Sequence, residues 1–293
     1  LLILISTVLF FLLRLTGDPA TVLAGEDANP AILAQIEAQY GLDRPLLLQY
    51  LTFVGNVLTL DFGGSLANAQ PALGLVLARL VPTLSLAATA ILIDVVLAIA
   101  LGTWLGARAH SAGRQVVNAG VFIAQGVPAY VIGLLLIQIF AVELRLLPSV
   151  GASGPSSWLL PSLTLAAFLA PQLVRVVSAS VGQAMRQDYI RTARASGAGG
   201  FALLARHALP NALLAVVAVI GTQFAYLISG ALITEVIFGW PGLGRLLVDS
   251  VTRLDFPVVQ ASVFVVALLV FVVNAGLDLV FRIVDPRLRQ AQS

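Results

Sequence analysis

The 293-residue chain contains no cysteine and no lysine, a single methionine and only two histidines. Without cysteine there is no disulfide, no thiolate-ligated zinc, no iron–sulfur cluster and no thiol nucleophile. Without lysine there is no Walker A loop, which needs that side chain to hold the β- and γ-phosphates. Any nucleoside triphosphate that drives this protein is therefore hydrolysed by another chain. Charge of both signs is scarce: 10% of the residues are charged and 59% are hydrophobic, with a mean hydropathy of +0.99. A soluble domain carries roughly a quarter charged residues, so this composition is that of a membrane protein. The net charge of +2 says little; the placement of the 16 arginines says more.

A bilayer crossing needs about 20 mostly apolar residues. Five stretches meet this: 84–107, 116–142, 159–181, 211–234 and 257–281. A sixth, 1–15, is apolar but short, opens on Leu rather than Met, and reads as the remainder of a first spanning helix. The alternative, a cleaved signal sequence, lacks a basic leading region and a small-residue cleavage site. Arginine orients the set. Arg108, Arg114, Arg186, Arg191, Arg194, Arg206, Arg282, Arg287 and Arg289 fall on one group of connections. Only Arg145, Arg245 and Arg253 fall on the alternating short ones, 143–158 and 235–256. The first group is expected in the cytoplasm together with the C-terminus, and 16–83 outside.

The external segment 16–83 holds Asp18, Glu26, Asp27, Glu37, Asp43 and Asp61 against Arg44 and Arg79. Asn29-Pro30 reads as a helix cap followed by proline at the first helical position; Ile32, Ile36 and Tyr40 share a stripe, and Gly41 ends the helix. Asp43 opens a second pattern, with Leu47, Leu51, Val54 and Leu58 at helical spacing, closed by Asp61-Phe62-Gly63-Gly64. These features predict a helical cap at the outer membrane surface. It serves either as packing for the spans or as a docking surface.

The cytoplasmic segment 186–210 is neither apolar enough to span nor polar enough to be simply solvated. Asp188 is placed to cap a helix from Tyr189 to Ser196, with Arg191 and Arg194 three apart and Tyr189 and Ala193 one turn apart. Gly197, Gly199 and Gly200 break it, and a second short helix runs from Phe201 to His207, exposing Phe201, Leu203 and Leu204, before Leu209-Pro210. The reading is two short helices around an elbow, a shape that a partner can grip. An ordinary basic loop that happens to be helical is the alternative.

In the outer connection 235–256, Gly239, Trp240, Pro241, Gly242 and Gly244 exclude a helix, and Trp240 suits a membrane interface. The site is either an aromatic-anchored turn or an outer gate. Within the spans, polar groups are costly unless they face protein or water. Asp94 is expected to line a substrate route or to pair with an arginine of a partner. Gln125, Gln138, Gln172, Gln223 and Asn274 serve helix-to-helix hydrogen bonds or a route. Asp278 is expected to pair with Arg282, and Arg175 to reach toward the inner surface. Gly126, Pro128, Pro161 and Pro171 are candidate kinks. His110 and His207 lack the neighbours for a metal site, and no Ser/His/acid or paired-carboxylate grouping suggests catalysis. No internal repeat is evident, which disfavours inverted-repeat secondary carriers. A proton-coupled carrier using Asp94 stays open as the competing class.

Residues 191–210 resemble the signature loop of bacterial ABC importer permeases, written EAA-x3-G-x9-I-x-LP. Here Arg191-Thr192-Ala193, three residues, Gly197, nine residues and His207-Ala208-Leu209-Pro210 fall in register; Arg191 replaces the glutamate and His207 the isoleucine. LTGDPA (15–20), YGLDRPLLLQYL (40–51), DFGGS (61–65), GVPAYVIGLLLIQIFAV (126–142), RQDYIRTARASG (186–197), TEVIFGWPGLGRLLVDSV (234–251) and DPRLR (285–289) extend the likeness to the B-type dipeptide/oligopeptide/nickel permease subunit across nearly the whole chain. The resemblance implies an all-α, type I ABC importer permease fold in a single transmembrane domain, 1–293. It would have about six spanning helices and a helical external segment after the first. It implies a bacterial inner-membrane location, a second permease subunit, two ATPase subunits that bind the ATP and Mg, an external substrate-binding protein, and no nucleic acid. Tyr189, Arg191, Thr192, Ala193, Arg194, Gly197, Leu204, His207 and Pro210 would couple to an ATPase, and the Gly239–Gly244 turn would face the binding protein. Peptides are the expected substrate, with glutathione or nickel chelates as the alternatives.

Overall fold

The computed structural model describes residues 2–16, 20–21, 29–107, 112–152 and 154–284. The side chains of Ile32, Ile36, Tyr40, Arg114, Asp278 and Arg282 lie outside the described residues, as do His110 and 285–293. So, therefore, do the expected Ile32–Ile36–Tyr40 stripe and the Asp278–Arg282 pair. The described chain is helical, with one isolated antiparallel bridge between Gly64 and Pro71. The helices are α1 (Leu2–Thr16), α2 (Pro30–Tyr40), α3 (Leu46–Leu58), α4 (Ala72–Ala107), α5 (Ala112–Gln125), α6 (Ala129–Leu136), α7 (Leu159–Ala184), α8 (Asp188–Ala195), α9 (Gly200–Leu203), α10 (Leu209–Ile237), α11 (Leu243–Thr252) and α12 (Phe256–Val284). Wider π-turns extend α6 through Ile137–Glu143 and join α9 to α10 through Leu204–Ala208.

Three helices among the described residues are long and apolar enough to cross a membrane: Ala72–Ala107, Pro155–Ala184 and Phe256–Leu277. A fourth crossing results if Gln115–Gln125 and Ala129–Glu143, bent by 108°, count as one. The count falls short of the expected six at three places. The 15 residues of α1 reach only about 22 Å at 1.5 Å per residue. The 116–142 stretch breaks at Gly126-Val127-Pro128, where proline cannot continue the backbone ladder. Helix α10 is 29 residues long, but several of its side chains lie outside the description.

The chain divides into two compact units. The first comprises Leu1–Thr83 with Pro241–Phe271. In it, Asn29 caps α2 by accepting from the Ala31 amide at 3.1 Å, Pro30 takes the first turn, and Gly41 ends the helix at φ +66°. Helix α3 starts at Leu46 after Pro45, three residues beyond the expected Asp43. Its apolar stripe faces away from the unit, with Leu47, Leu51 and Leu58 exposed. Phe53 and Val57 point inward to Phe62, Val76, Leu243, Val258 and Phe264. Against α1, the Phe10 ring stacks on Phe53 at 5.1 Å and lies beneath the Arg14 guanidinium at 3.8 Å. Arg14 also donates to Gln49, which in turn donates to the Leu42 and Arg44 carbonyls. The Asp255 carboxylate accepts from the Ser65 hydroxyl and the Leu66 amide, tying the DFGGS turn to the start of α12.

The second unit comprises Leu84–Trp240 with Val272–Ser293. Its centre is α7, which packs on α4, α5, α6 and α10. Leu173, Val174, Val177 and Val181 meet Ala98 and Leu105 of α4 and Ala212 and Val216 of α10. The α4–α7 approach is close because Gly102 and Gly106 carry no side chain. A Cβ on Gly102 would sit 2.6 Å from the Val177 Cβ, and one on Gly106 2.7 Å from the Ser178 carbonyl oxygen. Small residues four apart let membrane helices touch backbone to backbone, where dispersion replaces the missing hydrophobic drive.

Candidate functional site

The segment 186–210 takes its shape from one glycine. Helix α8 ends in a Schellman cap: the Gly197 amide donates to the Arg194 carbonyl at 3.0 Å, and the Ala198 amide to the Ala193 carbonyl at 3.1 Å. This cap requires a left-handed residue, and Gly197 supplies it at φ +86°, exposed, with nothing within 4 Å of where a Cβ would be. Gly199 is extended at φ −69°, and Gly200 is helical. Only the first of the three glycines therefore uses the freedom attributed to the run. Asp188 is the first residue of α8 rather than its cap; Gln187 takes the cap position without a side-chain bond. The Asp188 carboxylate instead faces the Arg191 guanidinium at 3.3 Å, in an ion pair too exposed to contribute much stability.

The expected second helix, Phe201–His207, does not stop before Pro210. It passes through the π-turns 204–208 into α10. Proline has no amide to donate to the carbonyl four residues back, and a wider turn just before it accommodates the loss. The knob is thus a helix, an elbow, and a second helix continuous with α10. Ile190, Leu203 and Ala208 are buried and anchor it. Leu204 packs on the α7–α10 core, turned inward from the expected grip, while Ala193 and His207 are half-buried. The outward groups are Tyr189, Arg191, Thr192, Arg194, Arg206 and Phe201, the last 85% exposed. Phe201 is the most exposed apolar group of the segment.

The turn at 238–242 is built by the same cap. The Gly239 amide donates to the Val236 carbonyl and the Trp240 amide to that of Glu235, with Gly239 at φ +58°. Trp240 is buried against Trp158, ring centroids 4.9 Å apart at 81°. The expectation that Phe238–Gly244 excludes a helix holds only as far as Gly242, because α11 runs from Leu243 to Thr252 and includes Gly244. In the first unit, Pro241 accepts from Arg79, and the Leu243 amide donates to the Thr83 hydroxyl at 2.8 Å. A side-chain acceptor from α4 thus caps α11, a partner that local sequence does not disclose.

The membrane polar groups divide into three settings. Asp94 and Gln223 are fully buried beside one another, too loosely aligned for a good hydrogen bond, and the Gln223 amide donates to the Leu169 carbonyl at 3.1 Å. Gln138 is exposed and donates to Glu143 across the π-turn. Gln125 opens on a cavity shared with Gln172, Arg175 and Tyr226. Sequence reasoning grouped Asp94, Gln125, Gln138 and Gln223 together; the structure brings together only Asp94 and Gln223. No cluster of three His, Cys, Asp or Glu suited to a metal occurs among the described residues.

A helical, polytopic chain with an exposed, anchored elbow and no nucleotide loop is a membrane permease subunit. Residues 98–290 match the family "Binding-protein-dependent transport system inner membrane component", and residues 1–87 match its N-terminal companion. The chain belongs to that family, and it is an inner-membrane transport component rather than an enzyme. It is 38% identical to the glutathione transport system permease protein GsiC of Salmonella choleraesuis (strain SC-B67), over 99% of this chain and 94% of that protein. The same-named protein of Escherichia coli (strain K12) is 36% identical over 98% and 94%. Among solved structures, a chain of the inward-facing MetNI methionine ABC transporter superimposes with a TM-score of 0.61 at 19% identity, covering 72% of this chain and 96% of that one. An amino acid ABC transporter with histidines gives 0.53 at 19%, covering 73% and 94%. The fold and the family make this an ABC-importer permease.

Proposed function

We propose that the chain is one of two permease subunits of an ATP-driven importer of glutathione or peptides of that size, with residues 186–210 as the handle of an ATPase subunit. The observation that carries the substrate reading is the near-full-length similarity to glutathione permeases; it favours glutathione over the di- and oligopeptides expected first. The elbow supports the coupling role. Ala208 and Leu204 root it in the α7–α10 core, and Ile190 and Leu203 are buried, so a pull on Tyr189, Arg191, Arg194 or Phe201 is carried toward two long helices. Rigid-body motion of that kind switches access without chemistry in this chain.

In this reading 1–293 is a single permease domain with α1, α4, the α5–α6 pair, α7, α10 and α12 as six crossings. The segments 16–83 and 235–256 lie outside, and 186–210 and the C-terminus lie inside. Gly239, Trp240, Pro241, Gly242 and Gly244 meet an external binding protein, and a second permease subunit completes the pore. The test is to copurify the complex, reconstitute it with its binding protein and measure ATPase stimulation by glutathione, dipeptides and longer peptides. Stimulation led by glutathione is expected. Stimulation by longer peptides alone overturns the substrate reading, and copurification without any ATPase subunit overturns the mechanism.

A further inference from the structure

Arg175 lies within α7, nine residues before its end, in a helix of membrane-spanning length. Its exposed side chain makes no hydrogen bond or ion pair among the described residues. A guanidinium inside a spanning segment is costly unless it faces water, protein or an anion. Here it opens on a cavity of about 370 Å³ in the second unit, lined also by Gln125, Phe168, Pro171, Gln172 and Tyr226. That volume falls in the range of small-ligand sites. No carboxylate lines it, so the wall offers one fixed positive charge, two amides, a phenol and an aromatic face.

The backbone around the cavity is irregular in two places. Gln125 is the last residue of α5, where the chain turns by 108° into α6. Pro171, one turn before Arg175, deprives α7 of one backbone hydrogen bond. Interrupted helices at membrane depth are tolerated where they border a cavity, and in transporters such breaks mark substrate sites. The contrast with Asp94 and Gln223 is direct: that pair is sealed within the unit, whereas Arg175 and the two glutamines face open space.

We propose that this cavity is a station on the translocation route that holds a short peptide by its carboxylate. Arg175 takes the carboxylate through paired N–H donors, Gln125 and Gln172 take peptide amides, and Phe168 and Tyr226 form the wall. The inference rests on the reading of the chain as an importer of glutathione or peptides of that size.

The absence of cysteine makes the test clean. In the complete complex reconstituted with its binding protein, Gln172→Cys supplies the permease chain's single thiol, labelled by an anionic methanethiosulfonate. S-methylglutathione, which has no free thiol, is both competitor and transport substrate. Protection of the thiol by S-methylglutathione is expected, at least ten-fold weaker in the Arg175→Gln background and largely kept with Arg175→Lys. Uptake KM should rise by a similar factor in Arg175→Gln. Unchanged protection and KM in Arg175→Gln overturn the proposal. So does loss of copurification of the second permease subunit that Arg175→Lys restores, which assigns the arginine to an acid of that subunit. Labelling that depends on anionic lipid content instead of S-methylglutathione overturns it in favour of a lipid phosphate. If the unsubstituted complex does not take up S-methylglutathione, the functional reading fails first, and the labelling is repeated with whichever peptide stimulates its ATPase.

Discussion

The elbow at Gly197 and the turn at Gly239 are the same local object in different surroundings. Each is a glycine in the left-handed region that closes a helix by a Schellman cap, and each is followed within a few residues by another helix. After Gly239 comes Trp240, 1% exposed and set edge-on to Trp158. Gly197 is followed by the half-buried Ala198, and its own surroundings are empty. One turn is fixed by the tryptophan buried right after its glycine; at the other the glycine itself meets nothing, and its cap sets the angle. The proposed handle needs a defined shape and an accessible face, and Gly197 fits both.

The largest effect is expected from removing the burial that distinguishes the two turns. Trp240→Ala leaves a void against Trp158, Leu86 and Leu227 and should cost about 3–5 kcal/mol, read as a fall in the thermal midpoint of the purified complex. A midpoint within a degree of the parent would show that the turn at Gly239 is not held by its tryptophan. A glycine of the opposite kind comes next. Gly106→Ala forces a Cβ to within 2.7 Å of the Ser178 carbonyl oxygen and 2.9 Å of the Val181 Cβ, so α4 and α7 must part. A loss of about 1–3 kcal/mol is expected, against a neutral result if the helices can shift freely.

Smaller still is Gly197→Ala. The new methyl meets nothing, so the cost is that of a left-handed alanine, about 1–2 kcal/mol. Much of it can be relieved by opening the cap, so peptide-stimulated ATPase activity should fall more than the thermal midpoint does. Equal loss in both would put Gly197 on a par with Gly239. Least of all for stability is Arg191→Ala, which removes an exposed ion pair to Asp188. The midpoint should not move, while coupling of ATP hydrolysis to uptake should drop if the outward face is gripped. An unchanged coupling ratio in both Arg191→Ala and Phe201→Ala would argue against this face as the contact.

Features set within a few residues were legible before the structure. Asn29-Pro30 and Gly41 bound α2 as their chemistry dictates, and the break after Ser196 falls where Gly197 permits it. What escaped depends on partners distant in sequence. Leu243 begins a helix because the Thr83 hydroxyl accepts its amide, 160 residues away in the chain. Leu204 turns inward because the π-turns before Pro210 rotate it toward the α7–α10 core. The pair Gly102 and Gly106, four apart, is a signal for close helix contact that is readable in the sequence itself.

The sequence by itself determined the class of the protein. Its scarcity of charge requires a membrane, its lack of lysine excludes a nucleotide loop, and its ordered motifs carry the family. Only the tertiary structure decided how its polar groups are used. Asp94 and Arg175 are both ionisable side chains within helices long and apolar enough to span. Burial depends on which helix face meets a neighbour, and that is set by packing at contacts such as Gly102–Val177 rather than by adjacent residues. The same packing sealed Asp94 beside Gln223 and left Arg175 facing the open cavity.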